Sequence, residues 1–176
     1  MTAGRSIDLD TINTLDVDAF TVLLGGIFEH SAWVARAAWA ARPFASVAAL
    51  HVTMVSVVAN SRAERQLALL RAHPDLAQIG PLTAASLAEQ SGMGLDRLES
   101  DEASAFDSLN RAYRRRFGFP FIIAVRGQRD RAAILAALSA RIKHAPGQEL
   151  ATALVEVGKI AQFRLEDLIL PSANGR

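Results

Sequence analysis

One stretch of this chain reads as extended, Phe119-Pro-Phe-Ile-Ile-Ala-Val125, and it has no obvious partner strand. It is too short for an ordinary buried helix and carries a proline, so it is expected to be a buried extended segment. A lone segment cannot make a sheet. Its backbone N–H and C=O groups have no ladder to satisfy them and must find side chains, water or a ligand. Elsewhere the apolar residues recur at helical spacing. The chain is 51% hydrophobic, with many alanines and few aromatics, a balance that suits closely packed helices. At 176 residues it is long enough for one well-buried domain and short for two. The expected fold is all-α, a single domain over residues 1–176, with 1–14 and 171–176 loosely ordered.

In chain order, Asp16 is placed to cap a first helix whose stripe is Val17, Phe20, Leu23, Leu24 and Ile27, with Gly25-Gly26 weakening its end. Ser31 can cap a second helix that stops before Pro43, and Ser46 a third running to about Ala59. The valines of that third segment, Val52, Val55, Val57 and Val58, also fit a strand. A fourth helix starts at Asn60 or Ser61 and leads into His73-Pro74. A short helix spans Ala84 to Ser91, and a stronger one begins at Ser100-Asp-Glu and closes at Gly118. Gln128 to Lys143 reads as an amphipathic helix with Ile134, Leu135, Leu138 and Ile142 inward. The last helix starts at Pro146-Gly147 and runs to Leu168.

The charge balance, 19 basic less 18 acidic or +1, gives no sign of nucleic-acid or membrane-surface binding. With no cysteine, disulfides, thiolate metal sites and a cysteine nucleophile are excluded. Met1 to Asp10 has no apolar signal core, no run approaches a membrane span, and the ending Asn174-Gly-Arg176 is no targeting tripeptide. A soluble, cytoplasmic protein is expected.

Chemistry is concentrated in Arg71-Ala-His-Pro-Asp-Leu76 and the following Leu82-Thr-Ala-Ala-Ser-Leu-Ala-Glu-Gln90. His73 precedes proline, which pushes its backbone out of the α region and fixes the imidazole in a connection. Ser86, Glu89 and Gln90 share one helical face, with Leu82, Leu87 and Ala88 turned the other way. A hydroxyl, a carboxylate and an amide beside a pinned histidine suit a small polar pocket, and histidine suits proton transfer at neutral pH. His73 is equally well explained as a helix C-terminal cap, and Glu89 as a surface residue. His30, His51 and His144 are scattered without paired-ligand spacing, so no metal is expected. No nucleophile elbow surrounds Ser86. On the last helix, Arg164 falls in the middle of the stripe Ala153, Val157, Ile160, Ala161 and Leu168. A core-facing arginine needs a carboxylate, Glu89 for example, or an anionic ligand, unless it snorkels to the surface. Arg111 and Arg114-Arg-Arg116 read as a solvated helix end that complements the dipole.

Several strings in order carry a resemblance. His73-Pro-Asp-Leu, then Leu-Thr and Ser86-x-x-Glu-Gln90, resembles the 2-oxo-4-hydroxy-4-carboxy-5-ureidoimidazoline (OHCU) decarboxylases. Phe106-x-x-Leu-Asn-x-x-Tyr-x-x-x-Phe-Gly-Phe-Pro-Phe-Ile-Ile-Ala124 is similar to the same family, as is Glu149-Leu…Glu156-x-x-Lys-Ile-x-x-x-Arg-Leu165. The likeness runs from about Asp16 to Leu168. It implies a bundle of about eight helices, no cofactor, a small ureidoimidazoline substrate, a homodimer, and conversion of OHCU to (S)-allantoin, the last step from urate. It implies His73, Glu89 and Arg164 as catalytic residues. Substrate contacts would come from Pro74, Ser86 and Gln90 and from the backbone of Phe121, Ile122, Ile123, Ala124 and Val125.

Two departures from the family pattern stand out. The connection after Leu76, Ala77-Gln-Ile-Gly-Pro81, is shortened, and Ala85 replaces a frequent glutamate before the motif serine. Two other functions fit the same residues. One is a ureide hydrolase with an activated water. The other is a non-catalytic helical module in which His73, Glu89 and Arg164 form a structural network.

Overall fold

Short polar side chains cap five of the helices described in the structure, a computed structural model that describes residues 7–77, 82–95 and 98–170. Backbone packing divides the chain into two compact units. One comprises the chain up to Leu69 together with the residues from Ala161 onward, and the other is Leu70–Ile160.

The first unit begins with helix α1, Leu9–Thr14, at a place where loose ordering was expected. Asp8 accepts a hydrogen bond from the Thr11 N–H at 2.7 Å, and Leu9 and Ile12 are buried. Six residues carry too little periodicity to register as a helix, but the cap and two core anchors suffice. Residues 1–6 and 171–176 lie outside the described residues. Helix α2, Val17–Leu24, is capped by Asp16 as expected, the carboxylate accepting from the Asp18 and Ala19 N–H groups. A Cβ at Gly25 would lie 2.5 Å from the Thr21 carbonyl and 3.0 Å from the Ala32 Cβ, so glycine allows α2 to end against the next helix.

That helix, α3, is Ala32–Ala38, continued by a 3-10 turn at Trp39–Ala41. It packs against α2 and against α4, Val47–Ala59. Ser31 stands at its start but makes no side-chain cap bond. The strand alternative for α4 is overturned. Ser46 accepts from the Ala49 N–H, and the buried residues Leu50, Met54 and Val58 recur every four positions, a helical period. Of the remaining valines, Val52 is 61% exposed, while Val55 and Val57 are half-buried. Helix α5, Ala63–Arg71, starts after Asn60, whose N–H closes α4 on the Ser56 carbonyl. The single β-contact among the described residues is a bridge between Ile7 and Ile169, in which the Ile7 N–H donates to the Leu168 carbonyl.

The second unit contains α6, Ala84–Gly92, capped by Thr83, and α7, Ser100–Phe117, stopped by Gly118 at φ 77°. Phe119–Val125 follows, buried throughout and outside any helix or strand, as the sequence suggested. Helix α8, Arg131–Arg141, packs on α7 and starts three residues later than Gln128, because Asp130 captures the Ala133 N–H. Gln128 instead closes a turn back onto the Val125 carbonyl. Of its expected inward residues, Ile134 and Leu138 are fully buried, while Leu135 and Ile142 are half-buried. Helix α9, Pro146–Leu168, supplies its first fifteen residues to this unit and its last eight to the other. Tyr113 meets Phe121 edge-on at 5.4 Å between ring centroids, and both rings are buried.

Candidate active site

The connection after α5 is held from three sides within the second unit. His73, 6% exposed, donates its backbone N–H to the Leu70 carbonyl at 3.2 Å, which ends the helix and turns the imidazole inward. The Leu76 carbonyl accepts from the Asn110 amide of α7 at 2.8 Å, and the Ala77 N–H donates to Gln90 Oε1 of α6 at 2.9 Å. Arg114 donates to Asp75 Oδ2 at 2.8 Å. Ala77 sits at φ 58°, a left-handed conformation that costs an ordinary residue about 1 kcal/mol and persists where the surroundings hold it. Three helices therefore fix the turn that carries His73. Two acceptors beside it, Asp75 Oδ1 and Asn110 Oδ1, are buried without a hydrogen-bond partner among the described residues.

Helix α6 is inverted relative to a surface helix. Ser86 and Gln90, one turn apart, are buried, Glu89 is half-buried, and Leu87 is 50% exposed with Ala88 beside it. The polar face is the inner one. Thr83 caps the helix through its Oγ1, which accepts from the Ser86 N–H at 3.2 Å, and the same hydroxyl donates to Ser86 Oγ at 3.1 Å. Since Ala77 is a donor, the Gln90 oxygen is assigned by its partner, and the amide nitrogen keeps its donors for another acceptor. The connection itself, noted above as shortened, lies outside the described residues at 78–81.

The extended segment meets side chains of α8 and α9. Arg141 Nη1 donates to the Ile122 carbonyl at 2.8 Å, and the Ala124 N–H donates to Glu156 Oε2 at 2.8 Å. Arg141 lies over the Phe121 ring, 4.6 Å from its centroid, and pairs with Glu149 at 2.9 Å through Nε. Glu149 is completely buried and also accepts from the Tyr113 hydroxyl, with His144 Nδ1 at 2.7 Å from its other oxygen. Burial first, and the adjacent carboxylate second, hold the Tyr113 phenol well above the usual tyrosine range. Glu156 is joined by Lys159 at 2.6 Å. Three of the five residues whose backbone was expected to read the substrate are thus engaged by the protein: Ile122 through its carbonyl, Ala124 through its N–H and through its carbonyl, which accepts from Gln128 Nε2 at 3.2 Å, and Val125 through its carbonyl.

Arg164 belongs to the first unit. It is 8% exposed, and its Nη1 donates to Glu29 Oε2 at 2.7 Å and to the Gly26 carbonyl at 3.3 Å. The carboxylate in this pair is Glu29, which sequence reasoning did not single out. Glu149 and Glu156 were also missed as functional candidates. Their signal was available, since they stand on the same inner stripe of α9 that made Arg164 conspicuous. Three of the four arginines in this stretch of α7 are engaged: Arg111 pairs with Asp107 at 2.5 Å, Arg114 with Asp75, and Arg116 with the His144 carbonyl. Among the described residues no three acidic or histidine side chains come together to hold a metal ion, and no helix is long and apolar enough to cross a membrane.

A buried imidazole on a braced turn, next to a helix whose hydroxyl and amide face inward, is an arrangement suited to acid–base chemistry on a small polar molecule, here in an all-α protein. The OHCU decarboxylase family model matches residues 13–166, and the chain belongs to that family. It is 45% identical over 163 residues to the 2-oxo-4-hydroxy-4-carboxy-5-ureidoimidazoline decarboxylase of Haloferax volcanii, covering 93% of this chain and 96% of that one. A crystal structure of (S)-allantoin synthase is similar with a TM-score of 0.74 and 36% identity over 93% of this chain, which spans about half (54%) of that protein. A crystal structure of OHCU decarboxylase in the presence of (S)-allantoin is similar with a TM-score of 0.67 and 25% identity, covering 86% of this chain and 96% of that one.

Proposed function

We propose that the chain decarboxylates OHCU to (S)-allantoin in urate catabolism, without a cofactor. The observation that carries this reading is the braced turn of His73, which carries the family's His-Pro-Asp-Leu string and is tied to Gln90 through the Ala77 N–H. Breaking the bond to the carboxylate leaves an electron pair that delocalises into the adjacent imine of the ring. CO2 departs, and a proton must then reach carbon from one face only. We assign that proton transfer to His73 and give Glu89 the substrate hydroxyl proton or the polarisation of His73. Ser86, the amide nitrogen of Gln90 and the backbone of Phe121–Val125 hold the urea-like edges, and Pro74 packs against the ring. Arg164 takes an anionic or carbonyl oxygen, its planar fork oriented by Glu29.

The family match over residues 13–166 includes parts of both compact units, which supports reading 1–176 as one domain. The same reading takes the protein as a cytoplasmic homodimer. The exposed apolar side chains Val22 and Val52 are those it would bring to a second copy, and sedimentation velocity tests it.

The function is tested by following freshly made OHCU by circular dichroism with and without the protein. Spontaneous decay gives racemic allantoin, so an accelerated reaction with a growing (S)-allantoin signal is the expected result. Unchanged decay, or release of ammonia or urea in place of CO2, would refute it. His73→Asn should lower kcat by about two to four orders of magnitude with the fold retained, because positioned proton transfer contributes that much.

A further inference from the structure

Among the described residues Phe119–Val125 has no strand to pair with, yet its backbone is not left to chance. Arg141 takes the carbonyl of Ile122 and Glu156 takes the N–H of Ala124. The two contacts fall two residues apart, the period at which an extended chain points its backbone groups to the same edge. The side chains of α8 and α9 thus stand where a neighbouring strand would be. By the same alternation, an extended chain directs the groups of residues 121 and 123 to the opposite edge. There, among the described residues, the N–H and C=O of Phe121 and Ile123 meet no hydrogen-bond partner, although both residues are buried. The two clamping groups are themselves fixed. Glu149 holds Arg141, with Tyr113 and His144 on the same carboxylate, and Lys159 holds Glu156.

Mere stability is a poor reason for this arrangement. Buried ion pairs often give no more stability than apolar residues of the same volume, because desolvation offsets their attraction. What charged partners provide here is direction: each makes a short bond to one named backbone atom. Building on the decarboxylase reading, we propose that Arg141 and Glu156 are positioning residues. They fix one edge of the segment so that the other edge presents the N–H and C=O of Ile123 as a rigid donor–acceptor pair for the ureide. The pair matches a urea-like group, which offers a carbonyl and an N–H side by side.

Amide hydrogen exchange on the whole chain tests the clamp without any substrate. The Ala124 amide should exchange at least about tenfold more slowly than the Ile123 amide in the ligand-free protein, and saturating (S)-allantoin should protect Ile123. Kinetics on OHCU then separate positioning from general support. Glu156→Gln keeps an oxygen for the Ala124 N–H and should hold KM within about threefold of the parent. Glu156→Leu removes it and should raise KM about tenfold or more with a much smaller change in kcat. Equal exchange at Ile123 and Ala124, no protection of Ile123 by bound allantoin, or equal KM for the Gln and Leu variants would overturn the proposal. Should the Leu variant fail to fold, the exchange pattern and the Gln variant still decide it. Should the parent make no (S)-allantoin, the decarboxylase reading falls, and the ligand-free exchange pattern alone judges the clamp.

Discussion

Among the described residues two buried arginines are paired with buried glutamates, Arg164 with Glu29 and Arg141 with Glu149. Each arginine also holds a backbone carbonyl, Gly26 in the first case and Ile122 in the second. Their positions in sequence gave them unequal prominence. Arg164 interrupts an apolar stripe in the middle of a long helix, where a charge demands explanation. Arg141 ends its helix, where a basic residue is explained by the dipole and draws no notice. The structure reverses part of that contrast, because Arg141 is as buried as Arg164 and is committed to a segment of the proposed site. Burial tells where a charge needs a partner. Only the chemistry of the remaining contacts tells what the charge is for.

The largest effect that separates the two pairs is expected in activity. Arg164→Met alone leaves Glu29 buried beside an apolar side chain, so loss of both stability and activity would say little. Removing both charges with Arg164→Met and Glu29→Leu should restore much of the melting temperature, since an ion pair replaced whole is often nearly neutral. Turnover of OHCU should remain lower by two or more orders of magnitude if Arg164 stabilises developing charge. Recovery of turnover in the double variant would reduce the pair to scaffold.

A smaller effect, in stability, is expected at the other pair. Arg141→Met should cost about 3–5 kcal/mol in denaturant unfolding, because Glu149 stays buried after losing its guanidinium partner. Here the matching double variant, with Glu149→Leu, should recover only part of that loss. It orphans the Tyr113 hydroxyl, which donates to Glu149, and the Ile122 carbonyl, which Arg141 holds by a shorter bond (2.8 Å) than Arg164 makes to the Gly26 carbonyl (3.3 Å). Full recovery would mean that the two pairs are equivalent.

The smallest effect concerns Tyr113. Its folded-state phenol holds its proton more tightly than a free tyrosine, whose reference value is 10.0. The unfolded chain therefore loses that proton first, and the stability contributed is complete below about pH 10 and declines as pH rises beyond it. Tyr113→Phe should lose about 1.5–3 kcal/mol at neutral pH, the range for a hydrogen bond to a charged group, and should show a flatter decline above pH 10. A parent and variant with identical alkaline profiles would break the link between the phenol and Glu149.

Much of the fold was legible because it is written locally. Asp16 and Ser46 cap the helices they precede, Gly118 takes the left-handed φ that ends α7, and Phe119–Val125 is buried and unpaired. What could not be read was either too short or too distant. Helix α1 has six residues, fewer than two turns, and its helicity rests on tertiary burial of Leu9 and Ile12. The valines of α4 satisfy two periods, and only packing chose between them. The inward polar face of α6 followed from spacing, and so did the burial of Arg164. Its partner did not: Glu29 lies 135 residues away, and no local pattern connects two residues at that separation. Nor did spacing reveal that Gln90 divides its amide, giving its oxygen to Ala77.

The clamped segment has a consequence for how this protein tolerates change. Main-chain atoms are common to all residues, so apolar exchanges at Ile122 or Ile123 alter volume while leaving the hydrogen-bonding pattern in place. Sensitivity to substitution is displaced to positions 141 and 156, remote in sequence from the atoms they direct. A survey of variants that looked only at residues lining the ligand would find the segment permissive and would overlook the two side chains on which its alignment depends.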